Sequence, residues 1–223
     1  MQRNSTKIEY TIRPILRGRD IKRYGYEFAD LWLITTFPSL KIEIENYPAV
    51  KQHLLSYDYN RLKQTGEVGA RKKTNNKWFE TQDSISYWED FYKQKIVWAE
   101  MTNQNAFVWD DTGVLTNQTC YFIPTTRKYL LGILNSTTTY FYFSNFAASL
   151  GDGAFRWIKQ YVEQIPIPKV SDEVEQKIEL LIDQIIKNKN KDTVTLEKEV
   201  DNIIYELFEL TEEEIGYIAR LYS

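Results

Sequence analysis

Between Arg13 and Arg23 the chain carries five cations, Arg13, Arg17, Arg19, Lys22 and Arg23, and one acid, Asp20. Gly18 interrupts the run, and the 223-residue chain as a whole has a formal charge of −3. Cations gathered at one place in a mildly acidic protein are suited to meeting a polyanion there. On a duplex, Arg17, Arg19, Lys22 and Arg23 would touch phosphates, which gives affinity and salt dependence but no sequence reading. Gly18 would let the backbone turn sharply or come close to a neighbour. On composition alone the same segment also reads as a solvated surface turn.

A second cluster is better suited to reading bases. Arg71, Lys72, Lys73 and Lys77 fall within eight residues of Asn75, Asn76 and Trp78. Guanidinium groups pair with guanine and amides with adenine in the major groove, so this loop is the candidate for groove insertion. A solvated connection accounts for it equally well. Asn103, Gln104, Asn105, Asn117 and Gln118 are further amides beside strand-like runs. Amides read adenine, but ordinary turns contain them too, and turn is the simpler assignment. Arg156 and Lys159, after a glycine turn, would clamp backbone, and Trp157 between them suits either that role or the core.

Chemistry beyond binding finds little support. A D/E-x-K triplet occurs at Asp20-Ile21-Lys22 and Glu175-Gln176-Lys177, the first inside the basic run and the second on an acidic helix. A single His53 and a single Cys120 exclude a two-histidine site or a zinc set. Cys120 lies in an apolar run and reads as a buried, inert thiol. One cysteine also rules out an internal disulfide and suits a reducing cytoplasm. No run of about 18 apolar residues suggests a membrane span, and the first residues lack a signal peptide's apolar core. The expectation is a cytoplasmic protein with no membrane partner.

A hydrophobic content of 43%, with 15% aromatic residues, allows a substantial core. Charge is unevenly divided. Residues 171–223 carry 14 acids and 6 bases, so the preceding 170 residues are net basic. The acidic tail hides a basic body.

The elements that must position these residues follow from pattern. Tyr10–Ile12, Leu31–Phe37, Lys95–Glu100, Ala106–Trp109 and Thr119–Ile123 read as strands. Pro48 to about Leu62 reads as a helix, as do residues 128–148. After the Gly151-Asp152-Gly153 turn a last strand ends in Ile165-Pro166-Ile167-Pro168. Beyond it, Val174, Ile178, Leu181, Ile182, Ile185 and Ile186 share their spacing with Leu196, Val200, Ile203, Ile204, Leu207 and Phe208. Two equal stripes joined by Asn188–Asp192 predict an antiparallel helical hairpin. Asp172 is the expected N-cap of the first helix, and Thr211 with Glu214 forms a capping box for a short third. Trp32, Trp98 and Tyr140 are expected in the core. The hairpin would pack on the body or form a docking surface for a partner.

Residues 14–24, PILRGRDIKRY, resemble the opening of the TaqI-like C-terminal specificity domain, the target-recognition region of type IIG restriction-modification enzymes and related adenine-specific DNA methyltransferases. KIVWAE, TNQTCYFIP, YLLGILNSTTTYFYF and IKQYVEQIPIP then follow in that family's order, and VDNIIYELFELTEEEIGYI resembles its closing stretch. The family's basic residue and aromatic pair correspond to Lys77-Trp78-Phe79, and the resemblance places Thr116-Asn117 at the working face. It implies a β-rich recognition domain, and with Pro166 and Pro168 marking a boundary before the helical stripes the expectation is an α+β fold: a β-rich twisted recognition domain over residues 1–168 with peripheral helices, then a helical hairpin with a short terminal helix over 169–223.

The resemblance further implies sequence-specific recognition of double-stranded DNA in restriction-modification or phage defence, beside a methyltransferase domain or subunit. As the lesser alternative to phosphate contact, some of the cations of residues 17–23 would pair with acids of that domain. S-adenosylmethionine would belong there, because this chain has neither a Pro-Pro-aromatic motif nor a Gly-rich cofactor loop. The chain would therefore be non-catalytic by itself. The competing expectation is a protein-docking module of such a complex, with incidental DNA contact.

Overall fold

The computed structural model describes residues 11–188 and 192–221. In chain order its regular elements begin with β1 (Ile12–Leu16), β2 (Ile21–Lys22), β3 (Gly25–Tyr26) and β4 (Trp32–Ile34). Then come α1 (Pro48–Leu55), α2 (Tyr59–Leu62), β5 (Lys95–Ala99), β6 (Met101–Thr102), β7 (Phe107–Asp110), β8 (Leu115–Thr116) and β9 (Cys120–Pro124). Helices α3 (Tyr129–Asn135) and α4 (Thr137–Ser144) precede the hairpin of β10 (Ser149–Gly151) and β11 (Ala154–Arg156). Helices α5 (Lys159–Val162), α6 (Asp172–Lys187), α7 (Val194–Leu207) and α8 (Glu212–Leu221) complete the α+β fold. Among the described residues no helix is long and apolar enough to cross a membrane.

The chain forms two compact units, one of Met1–Ile15 with Asp30–Tyr92 and one of Leu16–Ala29 with Lys93–Ser223. In the first, β1 and β4 pair antiparallel with Ile12 opposite Ile34 and Pro14 opposite Trp32. The strand expected through Phe37 stops at Ile34, and Pro38 opens a 3₁₀ turn. Tyr10 of the expected first strand lies outside the described residues. Trp32 is 56% exposed rather than in the core, its indole N–H donating to Asp30 Oδ1 at 2.8 Å. The single helix expected from Pro48 to Leu62 is two, because Asp58 takes a left-handed φ of 74° and caps α2 by accepting from Asn60 N. Ile42, Ile44 and Phe79 form this unit's small core.

The second unit is built on β7–β5–β9, an antiparallel sheet in which Ile96 lies opposite both Trp109 and Ile123. Strand β5 is buried on both faces, which is why it reads as a continuous apolar run. Alternation sends Ile96 and Trp98 to the larger core and Val97 and Ala99 to a smaller one with Leu16 and Ile21. The helix expected over 128–148 breaks at Ser136, whose extended backbone and hydroxyl cap α4 through Thr139 N. Trp157 is fully buried, stacked on Phe143 at 3.7 Å, so it is core and not a clamp. The last strand ends at Arg156, not at Pro168, and residues 166–170 have no regular structure.

The matched stripes close the larger core. Ile178, Leu181, Ile182 and Ile185 of α6 meet Val200, Ile203 and Ile204 of α7 there. Gly132 lets α3 approach this pair, since a Cβ at that position would lie 2.9 Å from Ile178 Cγ2. Ser171, one residue before the expected Asp172, is the N-cap of α6 and accepts from Val174 N. The Thr211–Glu214 capping box is present, with Thr211 N donating to Glu214 Oε2 at 2.8 Å. The α6–α7 connection includes residues 189–191, which lie outside the described residues. The helical pair is thus packed on the body of its unit, fastened by Lys128 N to Glu179 and Thr137 N to Asp201.

Candidate nucleic-acid interface

Arg17–Lys22 forms one wall of a cleft of about 610 Å³ in the second unit. Gly18–Asp20 is a 3₁₀ turn held by its own side chains. Asp20, only 5% exposed, accepts from Arg17 N at 2.8 Å, Nε at 3.0 Å and a terminal nitrogen at 2.7 Å. Those bonds hold the Asp20 carboxyl below the usual aspartate range against the opposing effect of burial, and they raise Arg17. Arg17 therefore lines the cleft with a guanidinium fixed in place, while Arg19 and Lys22 are exposed on it. The D/E-x-K triplet at residue 20 dissolves in this geometry, because Asp20 is committed to Arg17.

The opposite side of the cleft comes from the end of β5, from β6, and from the turns that follow β6 and β8. Gly18 N donates to Thr119 Oγ1 at 2.8 Å, and Thr119 Oγ1 donates to Asn117 Oδ1 at 2.6 Å. A Cβ on Gly18 would lie 2.9 Å from the Thr119 carbonyl oxygen, so close approach is what requires glycine. Asn117 N donates to Leu16 O at 3.0 Å, which completes the lock between the basic segment and this turn. Asn103 and Gln104 line the same cleft with exposed side chains. The sequence marks Asn117 as a candidate and reads Asn103 and Gln104 more simply as part of a turn. The available signal was a repeated triplet, Thr102-Asn103-Gln104 and Thr116-Asn117-Gln118, each at the end of a short strand.

Arg156 enters from β11, which pairs with β6 and places it opposite Met101. It is half-exposed and forms an ion pair with Glu100, a cleft residue, which raises its pKa. Lys159 is 82% exposed at the start of α5, 3.9 Å from Glu163. Arg23 differs from its neighbours. Its Nε donates to Glu197 Oε2 at 2.7 Å, and one terminal nitrogen donates to Asn105 Oδ1 and the Asn135 carbonyl. Arg23 points into the fold and joins the basic segment to α7.

The Arg71–Trp78 loop belongs to the first unit, and it is folded around itself. Arg71 donates to the carbonyls of Leu62 at 2.7 and 2.9 Å, Glu80 at 3.0 Å and Trp78. Burial lowers its pKa. Four such bonds engage most of the five donors that a base-reading fork would use. Lys77 pairs with Glu43 at 3.3 Å, and Trp78 is half-buried edge-on to Tyr59 and Phe79. Lys72, Lys73 and Asn75 are exposed on the loop. Cys120 is buried and its thiol is pushed up to about 11, in keeping with an inert group.

The family model of the TaqI-like C-terminal specificity domain matches residues 13–167, which span the cleft and both units. The chain belongs to this family. It is 31% identical over 209 residues to the type II methyltransferase M.MjaIV of Methanocaldococcus jannaschii, covering 86% of this chain and 67% of that protein. It is 24% identical over 183 residues to the type II methyltransferase M.BstVI of Geobacillus stearothermophilus, covering 79% of this chain but 30% of that protein. The fold matches the type IIL restriction-modification enzyme MmeI, solved in complex with DNA, with a TM-score of 0.61 at 14% identity. That match takes in all of this chain and 32% of the MmeI chain.

Proposed function

We propose that this specificity domain binds double-stranded DNA through the cleft of its second unit and reads sequence there for a restriction-modification adenine methyltransferase. The observation that carries the reading is convergence. Arg17, Arg19 and Lys22 line the same concave surface as Asn103 and Gln104. Cations supply contact with the backbone and amides supply groups able to distinguish base edges, the two components of specific recognition. Arg156 and Lys159 extend the positive rim, and Lys72, Lys73 and Asn75 offer a separate exposed contact.

The chemistry would come from the methyltransferase part that the longer relatives contain, with S-adenosylmethionine bound there. Gly151-Asp152-Gly153 does not fit a cofactor cradle, because it forms the turn of the β10–β11 hairpin and opens no helix. In this reading the chain is non-catalytic by itself. A protein-docking role is favoured by a separate feature, an apolar groove of about 640 Å³ between α4 and α8 lined by Phe141, Tyr142, Phe208 and Tyr217. The methyltransferase part is its proposed occupant, which leaves the cleft to DNA.

The test is selection of the purified chain on a pool of random duplexes at about 50 and 200 mM salt, a range over which several phosphate contacts change affinity by orders of magnitude. Enrichment of one motif, with retention lost at the higher salt, is the expected result. Retention insensitive to salt, or none at either concentration, would favour the docking role over DNA reading.

A further inference from the structure

We propose that Asn103 and Gln104 are the base-reading residues of the cleft and that each takes adenine in the major groove. The inference rests on the duplex-reading assignment above and names the groups that carry sequence. Three consecutive amides at this turn have different fates. Asn105 is 5% exposed, its Nδ2 donating to the Leu134 and Ser136 carbonyls at 3.0 and 2.8 Å while its Oδ1 accepts from Arg23. It is fully used and anchors the turn.

Asn103 and Gln104 are exposed on the cleft, and their side-chain amides have no hydrogen bond among the described residues. Their backbone is nonetheless fixed. Tyr140 Oη donates to the Asn103 carbonyl at 2.8 Å, and Gln104 N donates to Thr102 Oγ1 at 3.3 Å. Strand β11 braces β6 just before the turn, with Phe155 opposite Thr102. Two uncommitted amides on a held turn start with the ordering of the backbone already in place, which favours recognition.

The alternatives in the cleft and on its rim are committed elsewhere. Arg17 is bonded bidentately by Asp20, and Arg156 is held by Glu100. Asn117 Oδ1 accepts from both the backbone N–H and the hydroxyl of Thr119. A carboxamide that keeps both its acceptor and its donor pairs with adenine N6 and N7 together, whereas one with its oxygen occupied cannot. Arg19 and Lys22 stand on the same cleft to hold phosphates beside the bases so read.

Selection of the full chain from random duplexes tests this with two double variants, Asn103→Ala/Gln104→Ala and Asn103→Asp/Gln104→Glu. The wild type is expected to enrich a motif containing adenine. The alanine variant should keep salt-sensitive DNA binding and lose discrimination at that position by about five- to a hundredfold. The acidic variant, of nearly unchanged size, should shift preference toward cytosine, whose N4 amino group donates to a carboxylate. It decides the question if the alanine variant melts early. Enrichment of the wild-type motif by both variants would remove these amides from readout and leave duplex reading intact. A wild type that binds without enriching any motif would overturn the duplex reading itself, and this inference with it.

Discussion

Arg23 and Glu197 lie 174 residues apart in sequence and meet Nε to Oε2 at 2.7 Å. The last arginine of the basic segment is thereby a structural member of the unit, tied to a helix of the acidic tail. The same guanidinium donates to the Asn135 carbonyl at the α3–α4 break and to the anchoring Asn105. One side chain connects the cleft wall, the amide turn and the C-terminal helices.

Arg23→Ala is therefore expected to cost about 1–3 kcal/mol of folding free energy, through a lost charge-assisted bond and acceptors left poorly satisfied. Both partners are about a quarter exposed, which keeps the figure below that of a fully buried pair. Urea unfolding would measure it. The salt dependence of DNA binding should stay at the wild-type slope, whereas a phosphate contact would lower it.

Arg71→Ala should act through folding as well. Removing the guanidinium takes the donor from the carbonyls of Leu62 and Trp78, while Glu80 O keeps only the Gln64 amide, and the 71–80 loop loses its centre. A loss of about 2–4 kcal/mol is expected, since hydrogen bonds to a charged group contribute about 1.5–3 kcal/mol each. Any motif selected from random duplexes should be unchanged. A changed motif with normal stability would restore this loop to base reading.

Periodicity and order of elements were legible because they are local. The two helical stripes, β5 and the Thr211–Glu214 box need only neighbours within a few residues to declare themselves. What escaped was the fate of each charge. Arg17 is taken by Asp20 three residues away, but Arg23 is taken by Glu197 and Arg71 by carbonyls of a surrounding loop. Nothing in the local run of residues 13–23 separates inward from outward cations. The break at Ser136 was likewise hidden inside an apolar stretch, where a serine suits a helix surface as well as a cap. The cleft amides looked like turn formers because they are turn formers, and their shared wall arises only when β6 and β8 fold together.

Asp201 makes a pH prediction of definite sign. Burial raises its pKa, opposed by the Thr137 N–H and by Arg23 and assisted by Glu197. The folded state then binds a proton more tightly than the unfolded chain, so stability falls as pH rises from the ordinary aspartate value through the raised one. Asp201→Asn keeps an oxygen to accept from Thr137 N and removes the charge. The variant should be at least as stable as wild type near pH 7, with the two converging toward about pH 4. Unfolding curves across that range would show it, and a variant clearly weaker at pH 7 would mean that attraction to Arg23 outweighs desolvation.

Arg19 and Lys22 complete the division of labour on the basic segment. Both side chains are exposed on the cleft, Lys22 donating to the Arg19 carbonyl at 3.3 Å and lying 3.8 Å from Glu27. Ion pairs this exposed contribute little to folding, so Arg19→Ala/Lys22→Ala should melt within a degree or two of wild type, a shift of about 0.5 kcal/mol or less. Each phosphate contact adds about 0.9 to the slope of log affinity against log salt, so the double variant should lower that slope by about 2. Weakening should be uniform across sequences, because phosphates carry no base identity. A motif that changes while the slope stays fixed would assign these two cations to bases instead, and a variant matching wild type in both would remove them from the DNA contact.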